Sequence, residues 1–270
     1  MIFNLINAMK ISNTIIIYTP PSTKEQKSTL GKVRGILKKH KINYRLANRD
    51  KLDKNKLKDT ELVIAVGGDG TFLRAAHFIG RQVLLGVNAD VKNKEGFFMK
   101  ADKSNFAKKL KKIMNGTANV RKLPRLEAYI NGKKIDSLAL NEFFIGARKS
   151  YHAAKYVIKL GGRKERQKSS GILVATPTGS YAWAKSCCGK TLPLNSKKYQ
   201  FVVREPYEGK VFKNYRLKYG VLGKAQKVDV VSEMLDGILV ADSVGREHFL
   251  KSGSRVSVRL SGKHLSAVWE

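Results

Sequence analysis

From Thr14 onward, short β-branched apolar runs alternate with stretches in which apolar residues recur at helical spacing. Thr14-Ile15-Ile16-Ile17-Tyr18-Thr19, closed by Pro20-Pro21, reads as a buried strand. Leu30, Val33, Ile36 and Leu37 share one face of a helix predicted over 28–40, and 42–46 returns as a second strand. Leu62-Val63-Ile64-Ala65-Val66 is a third strand that runs straight into Gly67-Gly68-Asp69-Gly70-Thr71. Phe72, Ala75, Ala76 and Ile79 then recur at helical spacing, and 83–87 is the next strand. After a lysine-rich helix over 105–114 and the turn Asn115-Gly116, the texture changes to short β-like runs. These cover 126–130, 137–147, 156–160, 172–175, 201–204, 227–232, 238–241 and 256–260, with Asn131-Gly132 as a hairpin turn and a helix over 181–188.

The pattern predicts an α/β plus β chain. An open α/β domain over 1–117 is followed by a β-rich domain over 118–270, whose last segment can pack back on the first domain. Ligands are expected in the cleft between them.

Composition narrows the class. The 270 residues hold 53 Lys and Arg against 21 Asp and Glu, a formal charge of +32, with 42% hydrophobic residues. The apolar share supports a packed core and excludes a disordered basic polymer. The charge invites a nucleic-acid reading. Yet basic residues are spread through both halves, and no cluster is denser than Lys108-Lys109-Leu110-Lys111-Lys112, so the excess reads mainly as a lysine-rich surface. Two neighbouring cysteines, Cys187 and Cys188, offer no disulfide framework, and His40, His77, His152, His248 and His264 are scattered. These point to a reducing, cytoplasmic setting. No apolar run approaches the roughly 20 residues that span a bilayer. Residues 1–8 lack the basic flank of a signal peptide, and Met9 is a natural alternative start.

Strand, Gly67-Gly68-Asp69-Gly70-Thr71, helix is an arrangement that holds phosphate: glycines let the backbone approach, and helix N–H groups supply positive dipole. Asp69 would repel phosphate unless it holds Mg²⁺ or accepts the proton of an attacking hydroxyl, which makes it the first functional candidate. Its competing reading is a helix-start carboxylate that bonds backbone N–H groups. Asn141-Glu142 is a polar pair inside an apolar strand, and in isolation Glu142 reads as an ordinary edge-strand carboxylate. Thr176-Pro177-Thr178-Gly179-Ser180 ends another strand with hydroxyls suited to ribose or phosphate, or to capping. Gly189-Lys190-Thr191 lacks the rest of a Walker loop, no Gly-x-Gly-x-x-Gly occurs, and Gly179-Ser180 lacks the glycine pattern of a nucleophile elbow.

In this order the three motifs resemble the NAD kinase family. Leu85-Gly86-Val87-Asn88 with Gly96-Phe97-Phe98 is similar to its Gly-Ile-Asn…Gly-Phe-Leu stretch, and Asp236-Gly237 to its late Asp-Gly. The resemblance implies a Rossmann-like domain plus a β-rich domain that mediates homo-oligomers, dimeric or tetrameric. It implies phosphoryl transfer from ATP, with Mg²⁺ or another divalent cation, to the 2′-hydroxyl of the adenosine ribose of NAD. No metal ligand is assigned. Asp69 would take the hydroxyl proton, Gly67, Gly68, Gly70 and Thr71 would hold phosphate, and Asn141 and Glu142 would hold ribose. Thr178, Ser180 and Ser186 would line the adenosine side, with Asn88, Ser170 and Tyr181 also on the dinucleotide.

The departures fall in the dinucleotide half. Ser170-Gly171 stands where most members have Asp-Gly, Tyr181-Ala182-Trp183 replaces Thr-Ala-Tyr, and Gly189-Lys190 replaces Gly-Gly-Pro. Gln167-Lys168-Ser169-Ser170-Gly171 and 200–207 are similar instead to a divergent branch that includes the mitochondrial type. Other readings are a kinase of a lipid or sugar hydroxyl, or a basic nucleic-acid-binding protein with a decayed site. Arg148, Lys149, Lys155, Lys159, Arg163, Lys164 and Arg166 could meet phosphates or form a solvated face, and Arg204 could do so or pair with Glu205.

Overall fold

The computed structural model describes residues 4–5, 11 and 13–269. Apart from Asn4–Leu5, the reading of 1–8 and of Met9 lies outside the described residues. The chain divides into two compact units, Met1–Lys122 with Leu265–Glu270, and Leu123–His264. The division falls after Lys122 where the sequence pattern placed it near 117.

The first unit is built on one eight-stranded sheet. Its elements are β1 (Asn4–Leu5), β2 (Asn13–Tyr18), α1 (Lys24–Lys39), β3 (Asn43–Asn48), β4 (Leu62–Gly67), α2 (Asp69–Ala76), β5 (Val83–Asn88), β6 (Ala101–Asp102), α3 (Phe106–Met114) and β7 (Asn119–Leu123). With the C-terminal strand Leu265–Val268 the sheet order is β1, β7, the C-terminal strand, β5, β4, β2, β3, and β6 pairs with β5. The central pairs are parallel, and β4 is buried along its whole length, as parallel strands covered on both faces must be. Helix α1 starts at Lys24, four residues before the predicted start at 28, because Thr23 caps it, its hydroxyl accepting the Gln26 N–H at 3.3 Å. Between β4 and α2 stands the single residue Gly68, so the glycine motif is itself the strand-to-helix turn.

The second unit is a sandwich of two six-stranded antiparallel sheets. Its strands are β8 (Leu126–Ile130), β9 (Lys133–Ala139), β10 (Glu142–Ala147), β11 (Ala154–Leu160), β12 (Arg163–Ser169), β13 (Ile172–Ala175), β14 (Tyr199–Val203), β15 (Tyr219–Leu222), β16 (Val228–Ser232), β17 (Gly237–Ala241), β18 (His248–Leu250) and β19 (Arg255–Leu260). One sheet runs β15-β14-β13-β10-β17-β18 and the other β12-β11-β16-β19-β8-β9. Phe143, Ile145, Val174 and Phe201 from the first pack with Ala128, Tyr156, Ile158 and Val258 from the second. Asn131 and Gly132 both take positive φ, 51° and 80°, in the two-residue loop between Ile130 and Lys133.

Two expectations are corrected. The strand expected over 137–147 breaks at Leu140-Asn141: β9 lies in one sheet and β10 in the other, so the chain changes sheets at the Asn-Glu pair. The helix expected over 181–188 is a 3₁₀ turn, Gly179–Tyr181, followed by the one-turn helix α4 (Trp183–Ser186). Strand β12 has no apolar alternation and was missed. It is an edge strand held by seven pairings to β11, and its charges suit that place.

Candidate functional site

In the first unit the turn from β4 to α2 gathers polar groups around Asp69. A Cβ on Gly67 would lie 2.3 Å from Thr71 Oγ1 and 2.8 Å from Thr19 Oγ1, so only glycine lets these hydroxyls close on the strand end. Thr71 is fully buried, with its Oγ1 2.6 Å from Thr19 Oγ1 and bonded by Arg49 Nη1 at 3.4 Å. Its hydroxyl is thus committed to protein partners. Lys94 lies over Gly68, and a Cβ there would meet Lys94 Cδ at 3.1 Å.

Asp69 accepts the N–H of Phe97 at 3.0 Å on one carboxylate oxygen and that of Phe98 at 2.8 Å on the other. It therefore ties down a remote segment and does not cap its own helix. Asn88 is buried and supports the same region: its Oδ1 accepts the Asp90 N–H at 3.0 Å and its Nδ2 donates to the Lys94 carbonyl at 3.2 Å. Burial pulls the Lys100 amine below its ordinary value, against the opposing pull of the Asp69 charge. Arg49, Lys94 and Lys100 are cations that the motif reading missed. Only the tertiary approach of their segments places them by the loop.

In the second unit Asn141 and Glu142 stand at the sheet change. Glu142 is the first residue of β10, which pairs with β13 on one side and β17 on the other, so it is no edge-strand carboxylate. It is 3% exposed and Asn141 is 6% exposed. Asn141 Oδ1 and Glu142 Oε2 are shut off from solvent without a hydrogen-bond partner. Burial, reinforced by the Asp242 charge, pushes the Glu142 carboxyl up to about 8, so it is mostly protonated at neutral pH.

The backbone around this pair is over-determined. Asp242 accepts the N–H groups of Leu140 at 2.8 Å, Asn141 at 2.6 Å and Glu142 at 3.1 Å. The Leu140 carbonyl receives the hydroxyls of Thr176 at 2.5 Å and Thr178 at 2.6 Å, and the Asn141 carbonyl accepts the Thr176 N–H at 2.8 Å. A Cβ on Gly179 would lie 2.1 Å from the Asn141 carbonyl oxygen, so this close approach requires glycine. Ser180 donates to the Pro177 carbonyl at 2.6 Å and accepts the Leu192 N–H at 2.9 Å. Thr178 and Ser180 thus spend their hydroxyls on the turn itself. Tyr181 and Ser186 are exposed, and Ser170 is half-buried, with its N–H on the Arg204 carbonyl at 3.0 Å. Of Asp236-Gly237, the glycine is the first residue of β17, whereas Asp242, which was not singled out in the sequence, follows the other end of that strand.

Side chains alternate along β10, so Phe144 shares the Glu142 face. Phe144 stacks on Trp183 with ring centroids 5.3 Å apart, and the Arg204 guanidinium lies 4.5 Å from the Trp183 ring centre. Among the described residues Arg204 has no carboxylate partner, so the expected alternative of pairing with Glu205 is not realised. Arg148 and Arg166 are paired, with Glu247 at 3.1 Å and Glu233 at 2.8 Å.

Among the described residues no group of three or more His, Cys, Asp or Glu could hold a metal ion, and no helix is long and apolar enough to cross a membrane. Residues 8–118 match the family described as the ATP-NAD kinase N-terminal domain. An NAD kinase of Aquifex aeolicus (strain VF5) is 30% identical over 253 residues, which cover 89% of this chain and 88% of that protein. The chain belongs to the NAD kinase family. It is accordingly a phosphotransferase, an NAD(H) kinase by class. A probable NADH kinase of Oryza sativa subsp. japonica is 26% identical over 277 residues, 93% of this chain and 83% of that protein. The crystal structure of an NAD kinase from Archaeoglobus fulgidus in complex with ATP shares the fold at a TM-score of 0.77 and 21% identity, covering 95% of this chain and 93% of that one.

Proposed function

We propose that this chain transfers the γ-phosphoryl group of ATP to the 2′-hydroxyl of the adenosine ribose of NAD or NADH. The observation that carries the dinucleotide part is the sealed pair Asn141–Glu142: two buried polar groups without protein partners are costly unless a ligand completes them. Ribose hydroxyls, each both donor and acceptor, suit a neutral carboxyl beside a carboxamide. Phe144, on the Glu142 face of β10, and Trp183, stacked on it, offer aromatic surface beside that pair.

Asp69 is the proton acceptor in this reading. Its two amide bonds fix the carboxylate and leave lone pairs on both oxygens. The ribose oxygen attacks the γ-phosphorus, the bond to the ADP oxygen breaks, and the hydroxyl proton passes to Asp69. Gly67, Gly68 and Gly70, with Lys94 and Arg49 beside them, would receive the triphosphate. A divalent ion, Mg²⁺ by preference, fits here as a passenger of the nucleotide, since Mg²⁺ keeps waters and takes one or two carboxylates plus phosphates. Asp69 is the carboxylate at hand, and the ion would supply charge neutralisation on the phosphates. We place the chain in the cytoplasm, where the thiols of Cys187 and Cys188 stay free, and infer a dimer or tetramer, for which Phe249 on the edge strand β18 offers exposed apolar surface.

The test is formation of NADP or NADPH from NAD or NADH with ATP and Mg²⁺, repeated with polyphosphate and with Asp69→Asn. Product from the wild type and its loss in the variant support the reading. Absence of product with every donor sinks it. Light scattering decides the oligomer.

A further inference from the structure

We propose that Asp242 is a positioning residue for the dinucleotide: by collecting three consecutive N–H groups at the point where the chain changes sheets, it fixes the direction in which Asn141 and Glu142 present their side chains. This rests on the reading of that pair as the dinucleotide contact.

The carboxylate sits where the chain leaves one sheet for the other and satisfies the amides of that crossing. Strand β9 ends at Ala139 and β10 begins at Glu142, so Leu140 and Asn141 lie between two ladders and their amides need another acceptor. One carboxylate satisfies both and the Glu142 amide as well, from a residue about a hundred positions later in the chain. The exchange is reciprocal, since the Asp242 N–H returns to the Glu142 carbonyl at 2.8 Å. Asp242 takes φ +54° and the following Ser243 +53°, left-handed backbone that costs about 1 kcal/mol or more per non-glycine residue. That conformation lets the Asp242 side chain fold back over the turn.

The charge of Asp242 matters beside its geometry. It is 2% exposed and is the carboxylate whose field adds to burial in raising the Glu142 carboxyl. Arg125, just before β8, feels the same Asp242 charge and bonds the His264 carbonyl at 2.8 Å. From the turn after β13 the groups facing Leu140 and Asn141 are the neutral hydroxyls of Thr176 and Thr178. Glu142 therefore meets a ligand hydroxyl as a protonated acid that can donate as well as accept. Losing its proton as pH rises through about 8 should weaken dinucleotide binding and spare ATP.

The experiment measures KM for NAD(H), KM for ATP and the pH profile of kcat/KM for NAD(H) in wild type, Asp242→Asn and Asp242→Glu, with melting curves for each. In Asp242→Asn one amide of the turn faces an N–H in place of an acceptor, so KM for NAD(H) should rise about tenfold or more while KM for ATP stays within about twofold. The alkaline limb near pH 8 should move to lower pH, because Glu142 ionises more easily without the neighbouring charge. Asp242→Glu keeps the charge but shifts the acceptors by one methylene, so KM should rise with the limb in place. If Asp242→Asn does not fold, the Asp242→Glu split alone decides. Folded variants with wild-type KM for NAD(H), or an equal loss in both substrates with no move of the limb, overturn the proposal. A wild type that does not bind NAD(H) overturns the dinucleotide reading and the proposal together.

Discussion

Asp69 in the first unit and Asp242 in the second each collect backbone N–H groups from a segment remote in sequence, Phe97 and Phe98 in one case and Leu140, Asn141 and Glu142 in the other. Asp69 is half-buried and keeps lone pairs for a ligand, whereas Asp242 is sealed and hands its effect to Glu142. One carboxylate is the reagent in the proposed reaction. The other, in the same proposal, is scaffolding for the carboxyl that would meet the dinucleotide. A buried Asp with several amide partners is thus not marked as catalytic by those bonds; what remains open on its oxygens, and what its charge does to the neighbour, decide.

The largest expected effect comes from the reagent. Asp69→Asn should lower kcat by about 10²–10⁴-fold, the span typical of a lost general base, with KM for NAD(H) little changed, read from NADP(H) formation. A drop confined to KM would erase the distinction drawn between the two aspartates. Next is Gly179→Ala, whose new Cβ would collide with the Asn141 carbonyl at 2.1 Å and push the turn aside. KM for NAD(H) should rise about tenfold, with ATP binding spared.

A smaller effect separates two buried carboxyls of the second unit by pH. Glu142 is raised from 4.5 to about 8, so the folded state holds a proton that the unfolded chain releases; its contribution is whole below about 4.5 and is lost as pH rises through about 8. Glu127 is the reverse case. Burial would raise it, but bonds from Lys134, Arg259 and Tyr129 hold it at about 2, so its contribution stands above 4.5 and is lost as pH falls through about 2. Urea midpoints at acid, neutral and alkaline pH should show both losses. Glu142→Gln should remove the alkaline loss alone. The smallest effect tests the hairpin at the opposite end of β9 from Leu140: Gly132→Ala at φ +80° should cost about 1 kcal/mol by melting and leave turnover unchanged.

The sequence was a good guide wherever chemistry and local backbone coincide. Gly67-Gly68-Asp69-Gly70-Thr71 is at once strand end, turn and helix start, so its shape could be read without knowing what packs on it. The apolar strands β2, β4, β5, β8 and β13 were legible for the same reason. Strand β12, with the sequence Arg163-Lys164-Glu165-Arg166-Gln167-Lys168-Ser169, carries no alternating apolar face and exists because β11 pairs with it along its length. The sheet change at Leu140-Asn141 was hidden inside one apolar run, since both sheets present buried residues to the same core.

What the sequence determined by itself was therefore the family, the two textures of the chain, and the residues Asp69, Asn141 and Glu142 as candidates. Their states were decided by the tertiary structure. Glu142 reads as an ordinary edge carboxylate until β13 and β17 flank it and Asp242 arrives beside it, and Thr71, Thr178 and Ser180 stand as ligand candidates until protein partners close on their hydroxyls. The reason is physical: a side chain's chemistry is in its covalent structure, but its protonation and its free hydrogen-bonding capacity depend on burial and on charges brought near by folding, and neither is a local property of the chain.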